Sequence, residues 1–383
     1  MPCAPNRWCA RVRLGAGHHR GRAAVWLRSC GVNLLDIGRI AGGLLLLVAG
    51  GEALVRGSGA LAARLGIPPL VVGLTVVSLA TSAPELAVTA GAVLGGEPEL
   101  AVGNVVGSNI ANILLVLGVT ALVTPVLVGR GLLRVDLPVM LGLSLLALAL
   151  SLDGSLGALD GALLLLGLVA QMAVAVQRGL RSSAQEEEVA ALRPGRAALA
   201  VLAGVALLVV GAGWLVDGAV GIATHFGVNQ LVVGLTVVAI GTSLPELAAS
   251  VVAVRRGQVD LAVGNAVGSN IANLGLVLGL PALLGGGIPV PAAALALDLP
   301  VMIAVALALL AVATTRMSID RIEGGVFVAL YAAYTGYAVL AATDHDSLTG
   351  WTGVLGWVVL PALTLVAIGD LIRSRRLVRE SRR

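Results

Sequence analysis

Residues 70–118 read LVVGLTVVSLATSAPELAVTAGAVLGGEPELAVGNVVGSNIANILLVLG, and residues 231–279 read LVVGLTVVAIGTSLPELAASVVAVRRGQVDLAVGNAVGSNIANLGLVLG. The two segments align without a gap at an offset of 161, and 33 of 49 positions are identical. Weaker echoes flank them: LVRGSG at 54–59 against LVDGAV at 215–220, and DLPVM at 136–140 against DLPVM at 298–302. The chain therefore reads as two homologous halves, about 40–177 and 196–343. A duplication that served packing alone would not explain why the positions shared by the halves include so many polar ones.

The surroundings of the repeat are apolar. Of the 383 residues 58% are hydrophobic and 12% charged, with a mean hydropathy of +0.98. A soluble chain carries about 25% charge. Long apolar runs with short polar breaks mark an all-α integral membrane protein. Ten core spans are expected, at roughly 40–62, 69–94, 99–123, 136–152, 158–177, 196–220, 230–254, 260–284, 292–314 and 324–343. An apolar segment at 352–371 reads as an eleventh. Residues 1–39 form a basic N-terminal extension, 178–195 a cytoplasmic loop, and 352–383 an extra helix with a basic cytoplasmic tail. Cys3, Cys9 and Cys30 all precede the core and imply neither a disulfide nor a metal site. Net basic charge says nothing about nucleic acid here, since the arginines lie in loops and tails, and no nucleic-acid partner is expected.

Twelve arginines, from Arg56 and Arg64 to Arg316 and Arg321, border the loops after spans 1, 3, 5, 7 and 9, and the alternate loops hold none. The positive-inside rule places the first set in the cytoplasm, the N-terminus outside and the C-terminus inside. The seven arginines of residues 1–39 run against this bias. An over-extended start, a short interfacial helix, or override by the rest of the chain each accounts for them. Five helices per half reverse the chain, so the second half is inverted relative to the first. Inverted halves with matching broken helices point to a transporter whose site lies at the midplane.

The chemistry centres on TSAPE at 81–85 and TSLPE at 242–246. A carboxylate at the centre of a membrane helix costs ~3 kcal/mol. Glu85 and Glu246 would also repel one another when both are ionised and close. A bound cation relieves both costs, and so does a proton. Thr81, Ser82 and Glu85 are spaced to share a helix face, as are Thr242, Ser243 and Glu246. Pro84 and Pro245 lack the N–H that would bond the carbonyls of Ala80 and Gly241. The following helix of each half carries GNVVGSNIAN at 103–112 and GNAVGSNIAN at 264–273. There Ser108 and Asn112 share a face, as do Ser269 and Asn273, and both pairs can complete the site. Gly107 and Gly268 are expected to permit close backbone approach. Asn104, Asn109, Asn265 and Asn270 are read as satisfying helix breaks or helix–helix contacts. An all-oxygen donor set suits Na⁺ or Ca²⁺. Asp136 and Asp298, each before Leu-Pro, are expected at helix starts, and Glu52, Glu99, Asp217 and Asp260 near span ends, facing water or paired with arginine. The acidic run at 186–188 reads as a solvated loop.

GTSLPEL followed by GNAVGSNIAN, in duplicate, resembles the alpha-repeats of the calcium/cation antiporter superfamily, in particular its prokaryotic sodium/calcium exchanger branch. The resemblance covers about 40–343. It implies a ten-helix inverted-repeat exchanger moving Na⁺ inward and Ca²⁺ outward by alternating access. Carried over by motif, it implies ion ligands at Glu85, Glu246, Thr81, Ser82, Thr242, Ser243, Ser108, Asn112, Ser269 and Asn273, with backbone carbonyls of Ser78 and Ala239 binding Na⁺. Many relatives carry Asp at one of the Asn112/Asn273 positions, so two asparagines leave stoichiometry and K⁺ dependence open.

The expected function is a secondary Na⁺/Ca²⁺ antiporter in a prokaryotic inner or plasma membrane, with Ca²⁺ and Na⁺ as substrates, no cofactor and no enzymatic activity. The chain has no Walker motif and no lysine, so nothing in it supports ATP drive. A cation/proton exchanger such as H⁺/Ca²⁺ is the alternative, and a passive cation channel stands further off. An intramembrane hydrolase would call for a metal motif or a nucleophile–base pair that the core lacks.

Overall fold

The computed structural model describes residues 33–181, 193–226 and 239–342. The acidic run at 186–188, most of the basic extension, the start of span 7 and the 352–371 segment lie outside these residues. The described residues are mainly helical: α1 (Leu34–Leu65), α2 (Pro69–Thr81 with Ala83–Gly95), α3 (Pro98–Val123), α4 (Leu132–Leu150) and α5 (Ala158–Arg181). The second half follows with α6 (Pro194–His225), α7 (Ala239–Thr242 with Leu244–Arg255), α8 (Val259–Leu284), α9 (Ala294–Thr315) and α10 (Arg321–Ala342). Among the described residues eight helices are long and apolar enough to cross a membrane, and nine if the bent α2 counts as one span.

Two short ribbons show that the halves are inverted. Strand β1 (Val126–Leu127), after α3, pairs with β4 (Ser318–Ile319), after α9; strand β2 (Ser155–Leu156), after α4, pairs with β3 (Ile288–Pro289), after α8. Helix α4 lies between β1 and β2 and separates the ribbons to opposite ends. The α3–α4 loop and its repeat counterpart, the α8–α9 loop, therefore sit on opposite sides.

The outermost pair repeats the inversion. A Cβ on Gly43 would lie 2.7 Å from the Gly211 carbonyl, one on Gly50 2.8 Å from that of Gly204, and one on Gly57 2.8 Å from that of Ala197. Numbers rise along α1 as they fall along α6, in steps of seven residues, so these equivalent helices run antiparallel. Small residues every two turns let the backbones touch, which is how membrane helices associate without a hydrophobic drive. Each helix has 32 residues, roughly 48 Å at 1.5 Å per residue. That exceeds the ~30 Å apolar slab, so both helices tilt or project. Glu52 lies well inside α1 (Leu34–Leu65) rather than near its end, and pairs with Arg56 at 2.8 Å and with Arg256 just beyond α7, so the arginine partner expected of it is present.

Asp136 and Asp298 do not start helices. Each closes a π-helical turn, Leu132–Asp136 and Ala294–Asp298, and the helix runs on through Leu-Pro. Asp136 is buried and bonded to Gln171 and Arg178 of α5, so its charge is balanced by a partner rather than by a helix terminus. Asp298 accepts from the Tyr334 hydroxyl of α10 at 3.3 Å.

Candidate cation site

Helix α2 bends by 44° between its two pieces. The break is at Ser82, whose φ of −80° and ψ of 5° leave the helical region. Pro84 is the second residue of the new piece, where a missing N–H costs nothing. The same proline leaves the Ala80 carbonyl without its usual donor. Helix α7 repeats this: Ser243 has φ −88° and ψ 2°, and Pro245 opens Leu244–Arg255. Glu85 and Glu246 thus fall in the first turn of a half-helix, where the positive end of the dipole favours a carboxylate. The preceding half-helices end there too, the Ser78 carbonyl accepting from the Ser82 N–H at 3.0 Å and the Ile240 carbonyl from the Ser243 N–H at 3.1 Å.

Close packing brings the two halves together at these breaks. The first piece of α2 lies against α8, and the first piece of α7 against α3. A Cβ on Gly268 of α8 would come within 2.8 Å of Leu74 backbone atoms and of the Ser78 hydroxyl, so only glycine permits this approach. A Cβ on Gly107 meets nothing within 4 Å among the described residues. The α2–α8 approach sets Thr81 beside the second half: its hydroxyl donates to Asn265 Oδ1 at 3.1 Å and lies 3.5 Å from the Ser269 hydroxyl. The Glu85 and Glu246 carboxylates are near enough to act on one another, and Thr81 adjoins Glu246.

Nearly all of the residues singled out from the sequence are interior. Glu85 and Glu246 are 0% exposed, and Ser78, Thr81, Ser82, Ser108, Asn112, Ser243, Ser269 and Asn273 are buried. Thr242 is half-buried, and Ala239 begins the described part of α7. The Ser78 hydroxyl is turned back on its own helix, 2.9 Å from the Leu74 carbonyl and 3.1 Å from that of Thr75, while its own carbonyl accepts from the Ser82 N–H at 3.0 Å and lies 3.4 Å from the Thr81 hydroxyl.

Sixteen buried side-chain nitrogen and oxygen atoms have no hydrogen-bond partner among the described residues, and ten of them belong to Ser82, Glu85, Asn112, Ser243, Glu246 and Asn273. Each orphan costs about 1–3 kcal/mol, more when charged. Such atoms are normally satisfied, so orphans on two carboxylates that act on one another, and on Asn112 and Asn273 whose turns pack against the glutamate half-helices, point to a ligand. Eight of the ten are oxygens, which suits a hard cation. No group of three or more His, Cys, Asp or Glu occurs among the described residues, so hydroxyls and amides make up most of the polar set.

One feature escaped the sequence reading, and the helix–helix contacts expected of Asn109 and Asn270 are present. Asn112 opens the π-helical turn Asn112–Leu117, and Asn273 opens Asn273–Leu278. Such turns recur at functional sites. NILLVL and NLGLVL read as plain apolar helix, so nothing in the sequence flags the wider winding. Asn109 donates to Met302 Sδ at 3.4 Å and Asn270 to Met140 Sδ at 3.5 Å. Each thus ties its half to the DLPVM segment of the other.

The chain matches known proteins along both halves. The profile of the family described as sodium/calcium exchanger protein matches residues 36–177 and 196–340. Inner membrane protein YrbG of Escherichia coli is 43% identical over 252 residues, 63% of this chain and 78% of that protein. Sodium/calcium exchanger MaX1 of Methanosarcina acetivorans is 32% identical over 336 residues, 76% of this chain and 95% of that protein. The sodium-calcium exchanger NCX_Mj, in crystals soaked with Na⁺ and Sr²⁺, superposes with a TM-score of 0.70 at 31% identity, covering 79% of this chain and 98% of its own. With a matching profile over three-quarters of its length, this chain belongs to the sodium/calcium exchanger family and is a multi-pass antiporter of the inner or plasma membrane.

Proposed function

We propose that Glu85 and Glu246, with Thr81, Ser82, Thr242, Ser243, Ser108, Asn112, Ser269 and Asn273 and the carbonyls of Ser78 and Ala239, form the site at which this antiporter exchanges Na⁺ for Ca²⁺. The observation that carries the reading is the set of ten orphaned polar atoms that includes those of two interior carboxylates. A divalent ion neutralises both carboxylates at once. Sodium ions would divide the same oxygens, taking hydroxyls and last-turn carbonyls with one carboxylate each. Occupancy by one cation type then excludes the other, which is the basis of coupled exchange.

Alternating access follows from the inverted halves. Helices α2, α3, α7 and α8 hold the polar residues, and α1 and α6, joined backbone to backbone, form a unit that moves against them. We place the N-terminus outside and the C-terminus in the cytoplasm. Supporting this, Arg130 borders β1 and Arg316 and Arg321 border β4, and these strands pair at one end of the molecule. The segments 40–177 and 196–343 are then the two working repeats, with 1–39, 178–195 and 352–383 outside them.

The test is Ca²⁺ uptake into Na⁺-loaded vesicles on dilution into Na⁺-free buffer, with and without a pH gradient. Uptake should follow the Na⁺ gradient, and Glu85→Gln or Glu246→Gln should abolish it. Uptake that follows pH alone would make this a cation/proton exchanger. Normal exchange in both glutamine variants would remove the site.

A further inference from the structure

Asn265 of α8 is buried and makes three side-chain hydrogen bonds that reach both halves. Its Nδ2 donates to the backbone carbonyl of Glu246 at 3.4 Å and to the Ser250 hydroxyl at 3.1 Å. Its Oδ1 accepts from the Thr81 hydroxyl at 3.1 Å. The orientation of the amide follows from chemistry. A carbonyl only accepts, so the NH₂ end must face Glu246. The oxygen end then faces Thr81, and the threonine must be the donor.

A hydroxyl binds a cation through its lone pairs, and its hydrogen must go elsewhere. Of the acceptors around the single Thr81 hydrogen, Asn265 Oδ1 at 3.1 Å is nearer than the Ser78 carbonyl at 3.4 Å or the Ser269 hydroxyl at 3.5 Å, and with the hydrogen directed there the lone pairs turn away from Asn265 toward an ion. The same asparagine pins the half-helix of Glu246 from behind, at the carbonyl of that residue and at a hydroxyl one turn on. The first half shows the same donor pattern. Asn104 Nδ2 donates to the Glu85 carbonyl at 3.2 Å and to the Thr89 hydroxyl at 2.9 Å. Two halves 161 residues apart thus build one clamp twice, which is not expected of incidental contacts.

We infer that Asn265 is a positioning residue for ion exchange: it takes the Thr81 hydrogen and fixes the Glu246 half-helix, so that one side chain sets a ligand from each half. The inference rests on the proposal that Thr81 and Glu246 bind the ion. Full-length protein in vesicles tests it, with Na⁺-driven Ca²⁺ uptake measured against Ca²⁺ concentration for Asn265→Ala, Thr81→Val and the double variant. Thr81→Val should raise the KM for Ca²⁺ on the order of tenfold, the size of one lost hydrogen bond, and Asn265→Ala by more, since it removes three. Maximal rate should move far less. The double variant should fall short of the product of the two single effects, because the Asn265–Thr81 bond is lost in both and can be lost only once.

Multiplying effects in the double variant, or a normal KM in Asn265→Ala, would overturn the inference. Asn265→Ser, polar but too short to reach Thr81, carries the same cycle where the alanine variant does not fold. Normal exchange in Thr81→Val and Glu246→Gln would instead overturn the underlying site. Impaired exchange in those two with a normal Asn265→Ala would overturn only the role of Asn265.

Discussion

Glu85 and Glu246 are held at the centre of an apolar bundle with no hydrogen-bond partner among the described residues for any of their four carboxylate oxygens. Two such groups destabilise the ion-free protein, and an ion that binds both stabilises the folded state by mass action. At a concentration one hundred times Kd the gain is about 2.7 kcal/mol. Calcium should therefore raise the melting temperature of the purified protein by several degrees. Glu85→Gln should abolish that rise, since the variant keeps the shape but halves the charge. A calcium-dependent shift of normal size in Glu85→Gln would show that calcium stabilises the protein elsewhere. The acids and the neighbouring hydroxyls were legible in the sequence because polar groups stand out in apolar runs and recur at a fixed offset. That Asn104 and Asn265 serve helix breaks or helix contacts was legible as well, but the particular groups they bond were not. An asparagine donates from one end and accepts at the other, and only its neighbours in space decide which group it serves.

The elements were legible as apolar lengths, but their ends were not. The span expected at 40–62 is part of a helix from Leu34 to Leu65, and that at 196–220 part of one from Pro194 to His225. Hydropathy marks the part that suits lipid, whereas a helix continues until its hydrogen bonds are capped. Gly66, at a φ of 63°, supplies that cap for α1. Contacts between elements were also hidden, because a glycine on an apolar helix gives no sign of which face its neighbour takes. Gly204 and Gly213 of α6 differ sharply in this respect. A Cβ on Gly204 would lie 2.6 Å from the Leu54 nitrogen of α1, whereas one on Gly213 meets nothing within 4 Å. Alanine favours a helix over glycine by roughly 0.5–1 kcal/mol. Overpacking costs about 1–3 kcal/mol. Gly213→Ala should leave thermal stability in detergent unchanged or slightly raised. Gly204→Ala should lower it and slow Ca²⁺ uptake. Equal stability for the two variants would mean that α1 and α6 do not meet backbone to backbone.

For the whole molecule, the ribbons fix which loops share a side, but not which side is the cytoplasm. β1 with β4 marks one end and β2 with β3 the other. A membrane applies no label that the folded chain carries in its geometry, so orientation has to come from charge. Arg130, exposed beside β1, belongs to the arginine-rich end. Ser155, exposed at the start of β2, belongs to the end whose loops hold no arginine. Insertion retains arginine on the cytoplasmic side, and the bias here is consistent over five loops. A protein with Cys3, Cys9 and Cys30 replaced by serine then offers a direct assay. In intact cells a thiol reagent that cannot cross the membrane should label Ser155→Cys and spare Arg130→Cys until the cells are opened. The opposite pattern would invert the molecule, and labelling of both before lysis would mean that the ribbons do not mark opposite faces. Because a pseudo-two-fold rotation about an axis in the membrane plane relates the two halves, inversion would leave the site and its chemistry intact. It would exchange only the side on which the Glu52–Arg256 pair lies.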